Sequence, residues 1–464
     1  MTHSLPNKAR RPRRSAVLLP LSLCISLSLL GCTTTSELDF NQQAEQQLKT
    51  QERWQQQQVG ASTAQQITDL IELQPLTELV TQAMANNPNL QQTVIALKIA
   101  YAQHAATVGD SRPQVNAGFS GERAEDADDS YSADLTVSWE LDLWQKLSDN
   151  ASAAEMDIAS SQASVQAAKD ALAASIMRNW LQINYLKQRL VVESQRLKTL
   201  EDNEAFIVQR YRVGLGDLET LDTAKSSSAS ARATLANYQE QLAQAQRSLT
   251  LLLGAEQPQA IEVDAGFPDV IQPLSTLPEQ DLARRPDLQN AYYSIVAEQY
   301  RTDVAYKALL PSFNLSASLT EVASNPSDAL FKSPAWSLLG QITAPLFQGG
   351  TLRAQAEIAE LTAEQAFWGY QETLLNAVYE VENALGQEHS LSRQQEHLTV
   401  SLHSAERSFD NYQVKYRQGL VDILDLLTVQ QQTFDLEAQL IETTYNRLVN
   451  RIDLGLALGL GVSS

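Results

Sequence analysis

Two stretches of the chain alternate between apolar and polar residues. In residues 131–143, every second side chain is apolar, and Ser, Asp, Thr or Glu stands between them. Residues 313–320 alternate in the same way. Successive side chains of a strand point to opposite faces of a sheet, so a period of two predicts amphipathic strands. We therefore predict one β-hairpin at about 113–143 and a second at about 311–347.

Most of the remaining chain repeats apolar residues with spacings of four and three. The first half contains Leu186, Leu190, Leu197, Leu200, Ile207 and Tyr211, and the second half contains Leu398, Leu402, Ala405, Phe409, Tyr412 and Tyr416. Glu193 and Glu204 interrupt the first run. This spacing is typical of packed helices. It predicts long helices at 146–211 and 351–416, medium helices at 217–254 and 422–459, and shorter ones at 89–110 and 287–309.

The chain contains an internal duplication. Asn-Pro-Asn-Leu at 87–90 recurs as Arg-Pro-Asp-Leu at 285–288, and Tyr-Arg-Val-Gly-Leu-Gly-Asp at 211–217 recurs as Tyr-Arg-Gln-Gly-Leu-Val-Asp at 416–422. Each repeat predicts a helix, a hairpin, a long helix, a tight turn at Gly214 or Gly419, and another helix. The predicted divisions are repeat 1 at 67–254, a linker at 255–276, repeat 2 at 277–459 and a tail at 460–464.

The N-terminus predicts export from the cytoplasm. A basic head with five Lys or Arg residues between 8 and 14 precedes an apolar run from Ala16 to Leu30. This pattern is typical of a secretory signal, here residues 1–31, and the run is short for a membrane anchor. Residues 32–66, rich in Thr, Gln and Glu, predict an extended tether. The only cysteines are Cys24 and Cys32, so the mature chain forms no intramolecular disulfide.

Composition excludes several functional classes. The net charge is −21, which disfavours nucleic acid as a partner. The mature chain has no run of about 18 apolar residues, which excludes a multi-span helical membrane protein but not a β-barrel. Neither a Walker loop, a dinucleotide fingerprint nor a His-Glu-x-x-His motif occurs. We therefore expect no enzyme, no catalytic residues, no resident metal and no cofactor.

The predicted strands need partners. Four strands are too few for a membrane barrel, which has at least eight. Open sheet edges are excluded in lipid because their backbone groups find no water there. Three chains together supply twelve strands, which predicts a homotrimer in contact with outer-membrane lipid. The alternative is a water-exposed sheet that caps a helical rod.

Several motifs together resemble one family. They are Trp-Glu-Leu-Asp-Leu-Trp at 139–144, Arg-Arg-Pro-Asp-Leu at 284–288, Leu-Pro-Ser-Phe-Asn-Leu at 310–315, Ala-Pro-Leu-Phe-Gln-Gly-Gly at 344–350 and Tyr-Glu-Val-Glu-Asn-Ala-Leu at 379–385. In this order they resemble the TolC-like outer membrane efflux family, in its NodT-type lipoprotein branch. The resemblance implies a mainly α fold with a membrane β contribution, in which a trimeric twelve-stranded β-barrel is continued by an α-helical tunnel.

The same resemblance implies a function and a location. Such a channel is the outer-membrane component of a tripartite efflux system and passively conducts drugs and other small toxic molecules. Its partners are a periplasmic adaptor and an inner-membrane pump, here expected to be of the RND type. Leu-Leu-Gly-Cys at 29–32 resembles a lipobox, which implies cleavage before Cys32 and lipidation of that residue. Thr33, where an Asp favours retention in the inner membrane, implies the outer membrane of a Gram-negative bacterium.

The two predicted helix turns are candidate docking tips. The resemblance implies that an adaptor binds there, through Val213, Gly214 and Leu215 in repeat 1 and through Gln418, Gly419 and Leu420 in repeat 2. The alternative is a plain turn in which glycine supplies a positive φ.

A candidate gate follows the second turn. Asp422 and Asp425 are three residues apart, so we expect them to share a helix face, and in a trimer they would form carboxylate rings that attract cations. The resemblance places the constriction at Leu424 and Asp425. Thr428 stands where an Asp is common, and Gln431 where some relatives carry Arg. The alternative is a solvated helix face.

Two other functions stay open. One is a structural periplasmic coiled-coil lipoprotein without a pore, which the amphipathic hairpins disfavour because a coiled coil does not need them. The other is the outer-membrane channel of a type I protein-secretion system. The lipobox and the NodT-type motifs favour small molecules over proteins. In such systems the pump largely selects the cargo, so the sequence predicts no substrate range.

Overall fold

The computed structural model describes residues 39–55, 64–125, 127–257 and 266–462. The predicted signal peptide and Cys32 lie outside these residues. The chain divides into two compact units, of which the first contains Pro113–Asp149 and Gln299–Glu360 and the second contains Phe40–Arg112, Asn150–Glu298 and Leu361–Ser464. Among the described helices, none has the length and apolar character needed to cross a membrane.

The elements of the two repeats follow the same order, except that repeat 2 has a short helix between its two strands. The chain runs through α1 (Phe40–Lys49), a 3-10 turn (Ile67–Leu70), α2 (Gln74–Asn86), α3 (Pro88–Asp110), β1 (Gln114–Ala124), β2 (Ala127–Leu141), α4 (Lys146–Arg212), α5 (Leu218–Leu252), α6 (Pro278–Ala283), α7 (Pro286–Lys307), β3 (Ser312–Ala323), α8 (Pro326–Phe331), β4 (Ala335–Thr343), α9 (Thr351–Arg417) and α10 (Ile423–Ala457). In each repeat a helix of 67 residues is followed by one of 35.

The first unit contains one four-stranded antiparallel sheet. Its strand order is β1-β2-β3-β4, so each repeat supplies one hairpin and β2 pairs with β3 across the repeats. Within it, β1 and β4 are the two edge strands.

One face of this sheet is apolar and the other is polar. Cross-strand pairing aligns Val115 with Val137, Val137 with Ala317, and Ala317 with Leu338. On the opposite face the same pairing aligns Asn116, Thr136, Ser318 and Ser337. Large apolar side chains are exposed on the first face, for example Leu338 at 70%. The period of two in the sequence therefore produces a sheet with one apolar surface, which the described part of the chain leaves exposed.

The second unit has two large apolar cores, each centred on a long helix, and a small apolar cluster of Ile207, Leu221 and Ala224. One core contains Ile176, Met177, Leu181 and Ile183 of α4 with Leu249 of α5 and Leu76 and Val80 of α2. The other contains Phe367, Tyr370, Leu374 and Val381 of α9 with Ile295 of α7 and Leu454 of α10. In α9 the buried positions Phe367, Tyr370, Leu374, Ala377 and Val381 recur at spacings of three and four, as packed helices require. In the middle of α4, consecutive residues such as Leu172, Ala173 and Ala174 are buried.

Residues 40–55 differ from the extended tether that the sequence predicts. They begin with helix α1, in which Phe40 and Ala44 are buried. The ring of Phe40 packs at a tilt against that of Phe367 of α9, with 5.4 Å between centroids, and the buried Trp54 donates its indole N–H to Asp281 at 3.2 Å. The composition of this segment is polar, but burial of Phe40, Ala44 and Trp54 attaches it to repeat 2, and burial of a phenylalanine side chain alone contributes about 1.5–3 kcal/mol.

Candidate functional site: the helix turns and the start of α10

Both predicted tips are helix ends closed by a glycine. Gly214 and Gly419 have φ values of +77° and +73°, a region that other residues rarely adopt. The N–H of Leu215 reaches the carbonyl of Arg210 at 2.9 Å, and the N–H of Leu420 reaches that of Lys415 at 2.9 Å. These bonds across five residues form Schellman motifs, which satisfy the last carbonyls of α4 and α9. The glycines are therefore explained by the turn itself.

The side chains around these glycines point into solvent. Val213, Leu215 and Leu420 are 64%, 67% and 69% exposed. A Cβ atom added at either glycine would meet no atom within 4 Å. Each turn thus presents apolar side chains that no part of the described chain covers, and exposed apolar side chains at a tight turn are suited to binding a partner.

The two candidate gate carboxylates form the N-terminal cap of α10. Asp422 precedes the helix in an extended conformation and accepts a hydrogen bond from the N–H of Asp425 at 2.9 Å. Asp425 in turn accepts one from the N–H of Asp422 at 3.3 Å. The expectation that both residues share a helix face is therefore wrong, because Asp422 lies outside the helix. Together they form a capping box, in which each satisfies a backbone N–H of the other.

The rest of the candidate gate lies on the first turns of α10. Leu424 is 45% exposed, and Thr428 donates its hydroxyl to the carbonyl of Leu424 at 2.8 Å. Asp425 is also exposed. One short stretch of chain therefore places a docking tip, a capped helix start and an exposed leucine next to one another.

Repeat 1 has the same turn without the second carboxylate. Asp217 caps α5 and accepts hydrogen bonds from the N–H of Thr220 at 2.7 Å and from its hydroxyl at 3.0 Å. These bonds, first of all the one from the backbone N–H, hold the pKa of Asp217 below its usual value. Thr220 occupies the position that Asp425 occupies in repeat 2, so the two turns differ by a charge at an equivalent place.

A buried ionic cluster joins repeat 1 to the helix that carries the candidate gate. Glu193 of α4, with a side chain 3% exposed, pairs with Arg189 at 3.2 Å and with Arg196 at 3.3 Å. Arg196 also pairs with Asp435 of α10 at 2.8 Å and donates to Gln431 at 3.4 Å. The sequence reveals Glu193 only as an interruption of the heptad pattern. Its arginines at i−4 and i+3 are the signal from which the cluster is predictable.

Two of the sequence motifs meet in space. Arg285, 7% exposed, pairs with Asp287 at 2.6 Å and with Glu380 of α9 at 2.7 Å, and donates to the carbonyl of Ala457 at 3.0 Å. The motif at 284–288 and the motif at 379–385 are thus halves of one contact that also fixes the end of α10. Sequence spacing does not reveal this pairing because almost a hundred residues separate the two motifs.

The comparisons with known proteins agree on one family. The sequence model of the outer membrane efflux protein family matches residues 79–255 and 277–460. The chain is similar to the cation efflux system protein CusC of Escherichia coli, with 27% identity over 393 residues that cover 82% of this chain and 85% of CusC. It is also similar to the probable outer membrane lipoprotein SilC of Salmonella typhimurium, with 27% identity over 398 residues that cover 83% and 86% of the two chains.

A solved structure has the same fold. The crystal structure of a membrane protein from Pseudomonas aeruginosa superposes with a TM-score of 0.80 at 27% identity, over 87% of this chain and 98% of that one. The two family matches coincide with the two repeats, each of which contains a hairpin and a capped helix turn. The chain therefore belongs to the outer membrane efflux protein family.

Proposed function

We propose that three copies of this chain form a conduit in the outer membrane, through which small molecules such as drugs leave the cell passively. The conduit works with a periplasmic adaptor and an inner-membrane pump of the RND type. The observation that carries the proposal is the amphipathic four-stranded sheet in a chain of this family, because it supplies a surface for lipid and two edges for neighbouring copies.

The sheet supports a trimer on physical grounds. In lipid every backbone N–H and C=O must be paired within the protein, so β1 and β4 need partner strands. If β4 of each copy pairs with β1 of the next, three copies close a ring of twelve strands. The apolar face then meets lipid and the face with Asn116, Thr136 and Ser318 meets water.

The exposed turns support docking of the adaptor. Val213 with Leu215, and Leu420 beside Gln418, form two similar apolar tips around Gly214 and Gly419. Two repeats in three copies supply six such tips. An adaptor with an apolar surface of matching spacing fits this arrangement.

The start of α10 is the proposed constriction. Three copies of Asp425 around one axis concentrate negative charge, which attracts cations and repels anions. Leu424 narrows the opening at the same level. The capping box fixes the direction in which α10 starts, and the pair of Arg196 and Asp435 ties the helix to α4.

The proposal also includes a covalent lipid on Cys32 and small molecules as the cargo. The lipobox-like sequence supports lipidation, and the name of the relative SilC is that of an outer membrane lipoprotein. The name of CusC specifies cations as the cargo of that system. For this chain we propose small molecules selected by the pump, with the channel itself selecting by charge and width.

The proposal is tested with the full-length, purified protein. We expect a mass of three copies after correction for detergent, and cation-selective conductance in planar bilayers. Cells that lack their own channel regain drug export when this chain is produced with an RND pump and its adaptor. A non-conducting monomer contradicts the proposal and favours a structural coiled-coil lipoprotein. Export of a protein substrate without drug export favours a secretion channel.

A further inference from the structure

The loop of the second hairpin contains a short helix with exposed apolar side chains. Helix α8, Pro326–Phe331, lies between β3 and β4. Its last two residues, Leu330 and Phe331, are 53% and 86% exposed. Asn325 caps the helix by accepting a hydrogen bond from the N–H of Asp328 at 2.9 Å. A capped helix, rather than an irregular loop, thus presents two large apolar side chains that the described chain leaves uncovered.

Helix α8 lies on the apolar side of the sheet. It packs against β2 and β3, and its Ala329 is 2% exposed. Glu321 stands two residues beyond Leu319 in β3 and therefore on the same, apolar face. Lys332, directly after α8, lies close enough to Glu321 for their charges to interact. Val322 points to the opposite, polar face and is 62% exposed, so the helix does not cover that face.

The charged residues near α8 suit a boundary between hydrocarbon and water. Glu321 is the only charged residue of β3 and stands near its loop end. Lys332 pairs with Asp328 at 2.6 Å and has a side chain 62% exposed. A lysine can lay its apolar stem along hydrocarbon while its ammonium group stays at the polar surface. Charges on a lipid-facing surface cost least at this level, where water and headgroups are in reach.

Helix α8 lies at the outer end of the sheet. The helices α3, α4, α7 and α9 join the strands at one end, and both hairpin loops lie at the other. In an outer membrane channel whose helices extend into the periplasm, the hairpin loops are at the cell surface. Strand β3 has 12 residues, which at about 3.3 Å each and a tilt of about 40° span about 30 Å of membrane. Its loop end therefore reaches the outer boundary of the hydrocarbon.

The apolar surface of the sheet continues onto α8. Trp336 near the start of β4 is aligned with Leu319 on the apolar face and is 77% exposed. With Leu330 and Phe331 it forms a group of three large apolar side chains at the loop end of the sheet. Water would leave all three uncovered, whereas the lipid that covers the apolar face covers them as well. Aromatic side chains are also enriched at this level of a membrane.

We infer that α8 lies in the outer leaflet of the membrane, on the outside of the barrel, with Leu330 and Phe331 among the acyl chains close to the headgroups. This inference rests on the proposed function, which places the apolar face of the sheet against lipid. Because α8 is held on the lipid side, it keeps the second hairpin loop away from the mouth of the conduit. The loop then serves as a membrane anchor and not as a lid.

The test measures contact between α8 and lipid in the full-length protein with native Cys32. Phe331→Cys is labelled with an environment-sensitive fluorophore and reconstituted into phosphatidylcholine and phosphatidylglycerol vesicles that contain lipids spin-labelled on the acyl chain. The matched control is Val322→Cys, at a similar level but on the polar face. After subtraction of the signal from the unmodified protein, we expect spin-labelled lipid to quench the Phe331→Cys label at least three times more strongly. Iodide in the water should quench the two labels in the reverse order.

A second measurement is labelling in intact cells with a charged, membrane-impermeant maleimide. We expect Phe331→Cys to react several times more slowly than Val322→Cys, and at the same rate after denaturation. Equal rates in the native protein contradict the inference, because they place both residues in water.

Leu338→Cys, on the apolar face of β4 and 70% exposed in the native residue, separates this inference from the proposed function. If spin-labelled lipid quenches the label at Leu338→Cys but not at Phe331→Cys, α8 lies in water and the inference is overturned, while the proposed function stands. If it quenches neither label, the sheet does not face lipid and the proposed function falls as well.

Discussion

Asp422 and Asp425 bind each other's backbone N–H groups, at 2.9 Å and 3.3 Å. Two carboxylates that the sequence marks as a possible charge ring therefore also hold the first turn of α10 in place. Most substitutions at either residue change both the charge and the cap. Variants that separate these two roles are needed to test the gate.

Asp425→Thr separates the charge from the cap. The substitution reproduces the turn of repeat 1, in which Thr220 donates its hydroxyl to the capping Asp217 at 3.0 Å. We expect the stability of the protein to change by less than about 1 kcal/mol, since the cap is kept. We expect the cation selectivity to fall, which bilayer reversal potentials in a salt gradient measure. Unchanged selectivity would remove Asp425 from the proposed constriction.

Leu424→Ala tests the apolar part of the gate. Leu424 is 45% exposed, so its truncation costs little stability, while in a trimer it widens the opening by three side chains. We expect larger single-channel conductance and greater uptake of large antibiotics by intact cells. Leu218→Ala at the start of α5, where the leucine is 57% exposed, is the control and should leave both unchanged. Equal effects of the two variants argue against a specific gate.

Leu420→Asp tests the docking tip. The side chain is 69% exposed, so a carboxylate is solvated there and the fold is unaffected. We expect loss of drug export and of co-purification with the adaptor, while conductance in bilayers stays normal. Leu251→Asp, at a site 75% exposed but far along α5 from the turn, should keep both. Normal export by Leu420→Asp would mean that this tip does not dock.

Arg285→Met should destabilise the protein by about 1–3 kcal/mol, because it leaves the carbonyl of Ala457 without its donor and removes the ion pair with Glu380. Arg285→Lys should recover only part of this, since an ammonium group does not present a planar fork. Thermal unfolding followed by circular dichroism measures both. Arg232→Met, which breaks an exposed pair with Glu201, should cost at most about 1 kcal/mol.

Asp170→Asn tests a buried carboxyl group. Asp170 is 2% exposed, and burial raises its pKa, although the N–H of Val462 and the amide of Gln166 donate to it. Because the folded protein binds this proton more tightly than the unfolded chain does, the free energy of unfolding falls as pH rises above the ordinary pKa of the group, and the loss is complete once the pH exceeds the raised pKa of the folded state.

We therefore compare the free energy of unfolding of Asp170→Asn with that of the unmodified protein, measured by denaturant unfolding. We expect the difference to favour the variant more at pH 7.5 than at pH 4. Asp217→Asn is the control, because the pKa of Asp217 is lowered, so its contribution to stability is largely present at both pH values and is lost only as the pH falls below the ordinary pKa of the group. A difference for Asp170→Asn that does not depend on pH would show that the carboxyl group titrates normally in the folded state.

The local pattern predicted much of this architecture. The long helices were predicted at 146–211 and 351–416 and span Lys146–Arg212 and Thr351–Arg417. Periodicity suffices for this because the apolar residues on one face of a helix or a strand recur at a fixed spacing within a single segment. The glycine turns at 214 and 419 are also local, since a positive φ requires little more than a residue without a Cβ.

Contacts between distant segments were not predictable in the same way. The spacing of Asp422 and Asp425 suggested a shared face, whereas the boundary of α10 falls between them and makes one the cap of the other. The polar segment 40–55 suggested a tether, whereas in the structure Phe40 is buried against Phe367. In both cases the residue type allows several environments, and the neighbouring segment decides among them.

By itself, then, the sequence determined the two repeats, the amphipathic hairpins, the heptad helices and the glycine turns, because each depends on residues close together in the chain. Only the tertiary structure decided that β2 pairs with β3, that Arg285 meets Glu380, that Arg196 ties α4 to α10 and that α8 packs against β2 and β3. These features depend on which surfaces of distant segments pack together. The shape and charge of the whole fold decide that, and the spacing of residues within one segment does not.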